Sequence, residues 1–206
     1  MSAPPRPPAS PSRSPGGLQT FWAEGRFWLL GTLALWLWLA FGASLARVSG
    51  DSMNPTLRSG DTLLLLKYPR LLDPDFPRRG SVVVFRGPPD SPYSYASRSL
   101  LGREFQTRPV HIKRVLGVPG DRVELRGGQV WVNGQALAES YVSEGWVDDL
   151  PPRTLGSGEL WVMGDNRRVG SSLDSRAYGP VRVQDVLGEV PRRLWPRPDV
   201  LPGTPP

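Results

Sequence analysis

The sequence predicts a mainly β protein, with a single N-terminal transmembrane helix followed by an antiparallel or mixed β domain that carries a small β-hairpin subdomain insertion. Three observations carry this. Phe27–Ala46 is a run of twenty uncharged residues bounded by Arg26 and Arg47. At about 1.5 Å per residue it reaches roughly 30 Å, the thickness of a bilayer's hydrocarbon core. Beyond it, short runs of aliphatic and β-branched residues recur between Gly, Pro, Asn and Asp turns, as strands do. Finally, 24 prolines and 23 glycines in 206 residues disfavour a helical bundle.

Taken in order, residues 1–26 open with a proline- and serine-rich stretch that buries too little apolar surface to offset chain entropy, so they read as a disordered cytoplasmic tail. Residues 27–46 are the expected anchor, with Trp22 and Trp28 near one end as interfacial aromatics. Arg6, Arg13 and Arg26 against Glu24 keep the tail cytoplasmic and leave the rest translocated. Ser44-Leu45-Ala46 has the small-x-small look of a cleavage site, but the apolar run exceeds a signal segment's roughly 7–15 residues, which favours a retained anchor.

Gly50-Asp51-Ser52-Met53-Asn54-Pro55-Thr56-Leu57 follows at once, and Pro55 prevents a regular helix through it. Thr62–Tyr68, Gly80–Phe85 and Val110–Val115 read as strands, with 86–108 a long surface loop between the last two. Arg122–Leu125 and Gln129–Val132 flank Gly127-Gly128 as a hairpin, and 135–158 is an irregular excursion. Strands at Glu159–Met163, Gly179–Val183 and Val186–Val190 complete a β domain over 47–196, with 122–158 as its insertion and 197–206 as a flexible tail.

Composition narrows the chemistry. There are no cysteines and one histidine, His111, so disulfides, thiolate metal sites and Ser-His-Asp arrangements are out of reach or nearly so. The net charge of +6 rests on scattered arginines interleaved with acids, a solvated surface rather than a nucleic-acid footprint. Lys67 and Lys113 are the only lysines.

On its own, Gly50–Leu57 is a turn at the foot of an anchor. Ser52 becomes a candidate nucleophile only if a base exists, and Lys113 in its apolar strand is one. Burial among Ile112 and Val115 disfavours the ammonium and lowers its pKa, and a neutral amine takes a serine proton. The plain alternative is an exposed lysine, which most lysines are. Arginine cannot serve, since it stays protonated. His111 shares a strand face with Lys113 and reads as a neighbour rather than a participant.

Together Ser52-Met53-x-Pro55-Thr56-Leu57, Gly60-Asp61, Ile112-Lys113-Arg114-x-x-Gly117-x-Pro119-Gly120-Asp121, Gly164-Asp165-Asn166-Arg167 and Asp174-Ser175-Arg176 resemble a bacterial type I signal peptidase, from about residue 27 to Pro196. The resemblance implies a membrane-bound serine endopeptidase that removes signal peptides from exported preproteins through an acyl-enzyme. It implies Ser52 as nucleophile, Lys113 as general base and the Ser52 N–H as an oxyanion donor. Some members place a serine at the position of Gly50, so the second donor is open. It further implies that Ser172, with Ser171 a competitor, orients the lysine, that Asp174 and Arg176 brace that loop, and that Val48, Met53 and Ile112 line pockets for small residues at substrate positions −1 and −3. No metal or cofactor is called for. Expected partners are signal peptides of secreted preproteins and the lipid bilayer, with the export machinery a further candidate and no nucleic acid. The expected location is the plasma membrane, single-pass, with the catalytic domain outside. The rivals are a non-catalytic membrane-tethered β module and a Ser-Lys self-cleaving protease like those of DNA-damage regulators.

Overall fold

The computed structural model describes residues 17–38, 42–67, 73–100, 103–142 and 148–203. They belong to two compact units, 1–40 and 41–206, each taken by itself.

The first unit holds helix α1, Gly17–Leu37. It begins inside the stretch read as a disordered tail, because residues 16–37 contain no proline and offer Leu18, Gln19, Ala23 and Glu24, all good helix formers. Residues 1–16 of that predicted tail lie outside the described residues. From Phe27 on, α1 exposes Phe27, Trp28, Leu29, Leu30, Leu33, Leu35, Trp36 and Leu37. The anchor predicted over 27–46 is corrected at its far end, where Ala43–Arg47 forms strand β1 instead of helix. A five-pair antiparallel ladder, from Ala43↔Leu66 to Arg47↔Thr62, supplies backbone partners that override the apolar composition. Only Phe27–Leu37 of α1 follows Arg26, a rise of about 17 Å. Among the described residues no helix is long and apolar enough to cross a membrane.

The second unit is the predicted β domain. After β1 come β2 (Thr62–Leu66), β3 (Val82–Arg86), β4 (Ala96–Leu100), β5 (Arg103–Thr107), β6 (Val110–Gly117), β7 (Arg122–Arg126), β8 (Gln129–Val132), β9 (Gln135–Ala136), β10 (Leu150–Thr154) and β11 (Glu159–Met163). Helix α2 (Ser175–Tyr178), β12 (Val181–Arg182), β13 (Val186–Trp195) and β14 (Asp199–Val200) follow. The main sheet runs β1-β2-β13-β3-β6-β11-β12, with β14 also on β13. Every ladder among the described strands is antiparallel, so the mixed alternative falls away.

Three corrections follow. The loop predicted over 86–108 contains the β4–β5 hairpin, paired from Ala96↔Thr107 to Leu100↔Arg103. Its serines and arginines hid a strand pattern, because little of it is buried. The insertion at 122–158 is a four-stranded sheet, β10-β7-β8-β9, rather than a hairpin with an irregular excursion. The predicted flexible tail is fixed through Gly203: β14 pairs with β13, Leu201 is buried, and the Pro202 carbonyl accepts from Arg114 Nη1 at 2.6 Å.

One core cluster lies beneath the Ser52 loop: Val48, Met53, Leu57, Leu63, Leu65, Val82, Val84, Val190 and Leu201. In β2 it is fed by strict alternation, with Leu63 and Leu65 inward. A second cluster around Leu116, Val123, Leu125 and Trp161 joins the small sheet to the end of β6. A third, around Phe85, Val115, Leu160 and Val162, packs on Tyr178 of α2.

Among the described residues two strand edges are left open. Val48 exchanges both backbone bonds with the β2 side, Val48 N–H to Asp61 O at 2.9 Å and Gly60 N–H to Val48 O at 3.0 Å. In an antiparallel ladder alternate residues face opposite sides, so Arg47 and Ser49 turn their backbone groups away from β2. Likewise Val115 bonds Ser81 O and receives Gly80 N–H, so Val110 and Ile112 of β6 face away from β3. β11 covers β6 only from Arg114 to Gly117.

Candidate active site

Ser52 sits in the turn after β1, in a segment whose own bonds are Asn54 N–H to Asp51 O at 3.0 Å and Leu57 N–H to Met53 O at 2.9 Å. Met53 and Leu57 plug the core below and hold the serine above it. Gly50 has φ +92, a region that side chains avoid, with nothing within contact distance of a Cβ placed there. Its glycine is therefore explained by backbone conformation, and it brings no side-chain donor.

Lys113 lies in β6, 3% exposed, paired with Val83. Its Nζ donates to Ser52 Oγ at 2.7 Å and to Ile112 O at 3.0 Å. Burial pushes its pKa from 10.5 down to about 8; the charges of Asp174 and Asp165 resist the change and Arg176 adds to it. The two residues singled out from sequence, 61 positions apart, are thus joined directly.

Asp174 is wholly buried. It caps α2 through Arg176 N–H and meets the Arg176 guanidinium at 2.8 Å through both Nε and Nη2. Burial by itself would raise its pKa, but Arg176, Ser172 and the Gly164 N–H outweigh that and hold it below the ordinary carboxylate range. An acid and an arginine two residues apart would share one face of an extended chain. Instead the acid is an N-cap whose arginine folds back from the helix it starts. Ser172 Oγ donates to Asp174 Oδ2 at 2.7 Å, so the expected bond to the lysine is corrected: among the described residues the hydrogen bonds of Lys113 Nζ go to Ser52 Oγ and Ile112 O, and Asp174 acts on the lysine through its charge. Ser171 joins the turn by its backbone to Arg168 O.

A cleft of about 290 Å³ leads away from Ser52 and Lys113, lined by Ala46, Arg47, Val48, Ser49, Met53, Val84, Val110, His111 and Ile112. It contains all three predicted pocket residues, Val48, Met53 and Ile112, and both open edges. His111 packs its ring on Phe85 and Tyr178, at 5.8 and 6.2 Å, and burial together with the Lys113 charge lowers its pKa to about 4. It is neutral at physiological pH, and no described hydrogen bond ties it to the dyad. No cluster of potential metal ligands occurs among the described residues.

Gly164–Arg167 stand in one of the motifs, with no task legible from sequence. Asp165 meets Arg114 through two bonds of 2.9 and 2.7 Å, both side chains fully buried. Asn166 N–H donates to Ser52 O at 3.1 Å and its Nδ2 to Asp51 O at 3.0 Å. Arg167 donates from Nε to Gly164 O at 3.0 Å and forks onto Glu139, from the small-sheet insertion, with Nη1 at 2.8 Å. A Cβ on Gly164 would collide with the Ser52 carbonyl and Ser172 Oγ, so only glycine allows this approach. The signal available in sequence was the motif itself; the partners lie too far along the chain to be read from it.

The chain is similar to known proteins along most of its length. The chain is 32% identical over 198 residues to a signal peptidase I of Leptolyngbya laminosa, covering 94% of this chain and 89% of the relative. It is 34% identical over 169 residues to a probable signal peptidase of a Synechocystis strain, with 82% and 80% covered, and 31% identical over 163 residues to a signal peptidase I of Bacillus caldolyticus, with 72% and 78% covered. A crystal structure of a signal peptidase I from Enterococcus faecalis V583 is 27% identical and superposes with a TM-score of 0.42 over 55% of this chain and 95% of its own. The family described as signal peptidase, peptidase S26, matches residues 22–195, and the chain belongs to that family of serine peptidases.

Proposed function

We propose that this chain cleaves signal peptides from exported preproteins with Ser52 as nucleophile and Lys113 as general base. One observation carries the reading: a buried amine with a pKa near 8 stands 2.7 Å from the serine hydroxyl, with no described histidine bonded to it. At pH 7 about one Lys113 in ten is neutral, against about one in three thousand for a lysine of ordinary pKa. Neutral Nζ takes the Oγ proton as Ser52 attacks the scissile carbonyl, and the resulting ammonium protonates the leaving amine. The amine then activates water to hydrolyse the acyl-enzyme. The Ser52 N–H faces the developing oxyanion.

The substrate lies extended in the cleft as an added strand between the open edges, one offering Arg47 and Ser49 and the other Val110 and Ile112. Val48, Met53 and Ile112, with Ala46 and Val84, leave room for alanine-sized side chains at positions −1 and −3. The exposed apolar length of α1 from Phe27 supports contact with a bilayer, where signal peptides are held, and the arginine balance of the N-terminal stretch supports an outer-face catalytic domain. Asp174, Arg176 and Ser172 act as support for the lysine's surroundings rather than as chemistry.

The test is cleavage of a preprotein by purified protein. Ser52→Ala and Lys113→Ala are each expected to abolish it while the fold persists; wild-type cleavage by either variant overturns the reading.

A further inference from the structure

We infer that Asn166 is a positioning residue for the oxyanion donor, an inference that rests on Ser52 being the nucleophile. The argument begins with the peptide unit between Asp51 and Ser52. Its carbonyl belongs to Asp51 and its N–H to Ser52, and in a trans unit the two point in opposite directions from one rigid plane. Whatever fixes the carbonyl fixes the direction of the N–H.

That carbonyl is held from two sides. Within the turn it accepts Asn54 N–H at 3.0 Å. From across the domain it accepts Asn166 Nδ2 at 3.0 Å. The next carbonyl, of Ser52, is taken by the Asn166 backbone N–H at 3.1 Å. One residue, 115 positions further on, therefore grips two successive carbonyls on either side of the nucleophile's Cα. The amide orientation is set independently, because Asn166 Oδ1 accepts Arg168 N–H at 3.2 Å and leaves the NH₂ group toward Asp51. A donor on the carbonyl also polarises the N–H of the same unit.

Asn166 is itself held on both sides. Asp165 is locked by the buried fork of Arg114, and Arg167 is clamped by Glu139 while it holds the Gly164 carbonyl. The grip matters more here because Gly50 supplies no hydroxyl for a second donor, so the direction of the Ser52 N–H bears more of the stabilisation. Removing one preorganised donor outright costs about 10²–10³ in rate. A donor left in place but free to swing retains part of that.

The experiment compares wild type, Asn166→Ala and Asn166→Asp in the full chain, using peptide cleavage and two inhibitors of matched sequence. One is a peptide aldehyde: Ser52 Oγ adds to its carbon, the serine proton passes to Lys113, and the aldehyde oxygen becomes the oxyanion. The other is a reduced-amide peptide, which has no such oxygen. For Asn166→Ala the expected result is a roughly ten- to hundred-fold fall in kcat with KM within about twofold, and the acidic limb of the pH profile unmoved. Aldehyde affinity falls by the same factor and reduced-amide affinity stays. Asn166→Asp, which sets a carboxylate oxygen against the Asp51 carbonyl, loses at least as much. If Asn166→Ala does not fold, Asn166→Ser is read in the same ways. A kcat within threefold of wild type, or equal weakening of both inhibitors, overturns the inference. Wild-type cleavage by Ser52→Ala would instead overturn the dyad reading beneath it.

Discussion

Replacing Lys113 with methionine is expected to stabilise the protein at neutral pH while destroying its activity. Burial holds the lysine pKa at about 8 in the folded chain, against 10.5 when unfolded. Between those values the unfolded chain binds more protons, so folding stability rises with pH there, and below pH 8 the full cost of the buried group is present. That cost is about 3 kcal/mol. Methionine fills similar volume without it, but forfeits the bonds to Ser52 Oγ and Ile112 O, about 0.5–1.5 kcal/mol each. Asp174 is not orphaned, since Arg176 still forks onto it. The net gain is about 0–2 kcal/mol, or up to about 8 °C in Tm for a domain of this size. The assay is thermal unfolding of both proteins at pH 7 and pH 10. A gain at pH 7 that shrinks toward pH 10 is expected, whereas a lower Tm at pH 7, or a gain independent of pH, would refute the reasoning.

Other consequences are as open to measurement. The acidic limb of kcat/KM should fall near pH 8; a limb near 10 would mean the lysine is not held dry. Because the Asp174 charge raises the Lys113 pKa, Asp174→Asn should move that limb to lower pH in whatever folded protein remains, and an upward move would contradict the sign. Gly164→Ala should cut cleavage by about 10² or more, since its Cβ meets the Ser52 carbonyl and a misplaced nucleophile costs about that much; near-normal kcat would show that the loop yields. Asp165→Asn leaves the buried Arg114 charge unopposed and should cost about 3–5 kcal/mol in urea unfolding.

The sequence made the proposed nucleophile, its proposed base and the β class legible for different reasons. Ser52 and Lys113 stood in motifs with a chemistry that composition could not otherwise provide, and short aliphatic runs between turn residues mark strands wherever one face is buried. The β4–β5 hairpin was missed because neither face is, so Ser97, Arg98 and Glu104 carry no alternation. The anchor was drawn too far because apolar length alone cannot separate a membrane helix from an edge strand; the ladder from β1 to β2 decides it. Asn166 and Glu139 escaped for another reason. Their tasks are defined by partners 115 and 28 positions away, and no local pattern encodes a partner.

The two open strand edges have a cost that concerns the protein's own copies. Unpaired edges receive any extended segment, including the flank of a neighbouring molecule, and soluble proteins commonly shield them. Here each is short, Arg47 with Ser49 on one side and Val110 with Ile112 on the other, and both line a recess instead of a flat rim. A second folded domain cannot insert a whole sheet into that recess; a single flexible strand can. On the proposed binding mode the shape therefore sorts by foldedness, admitting an unstructured segment of chain and turning away folded domains.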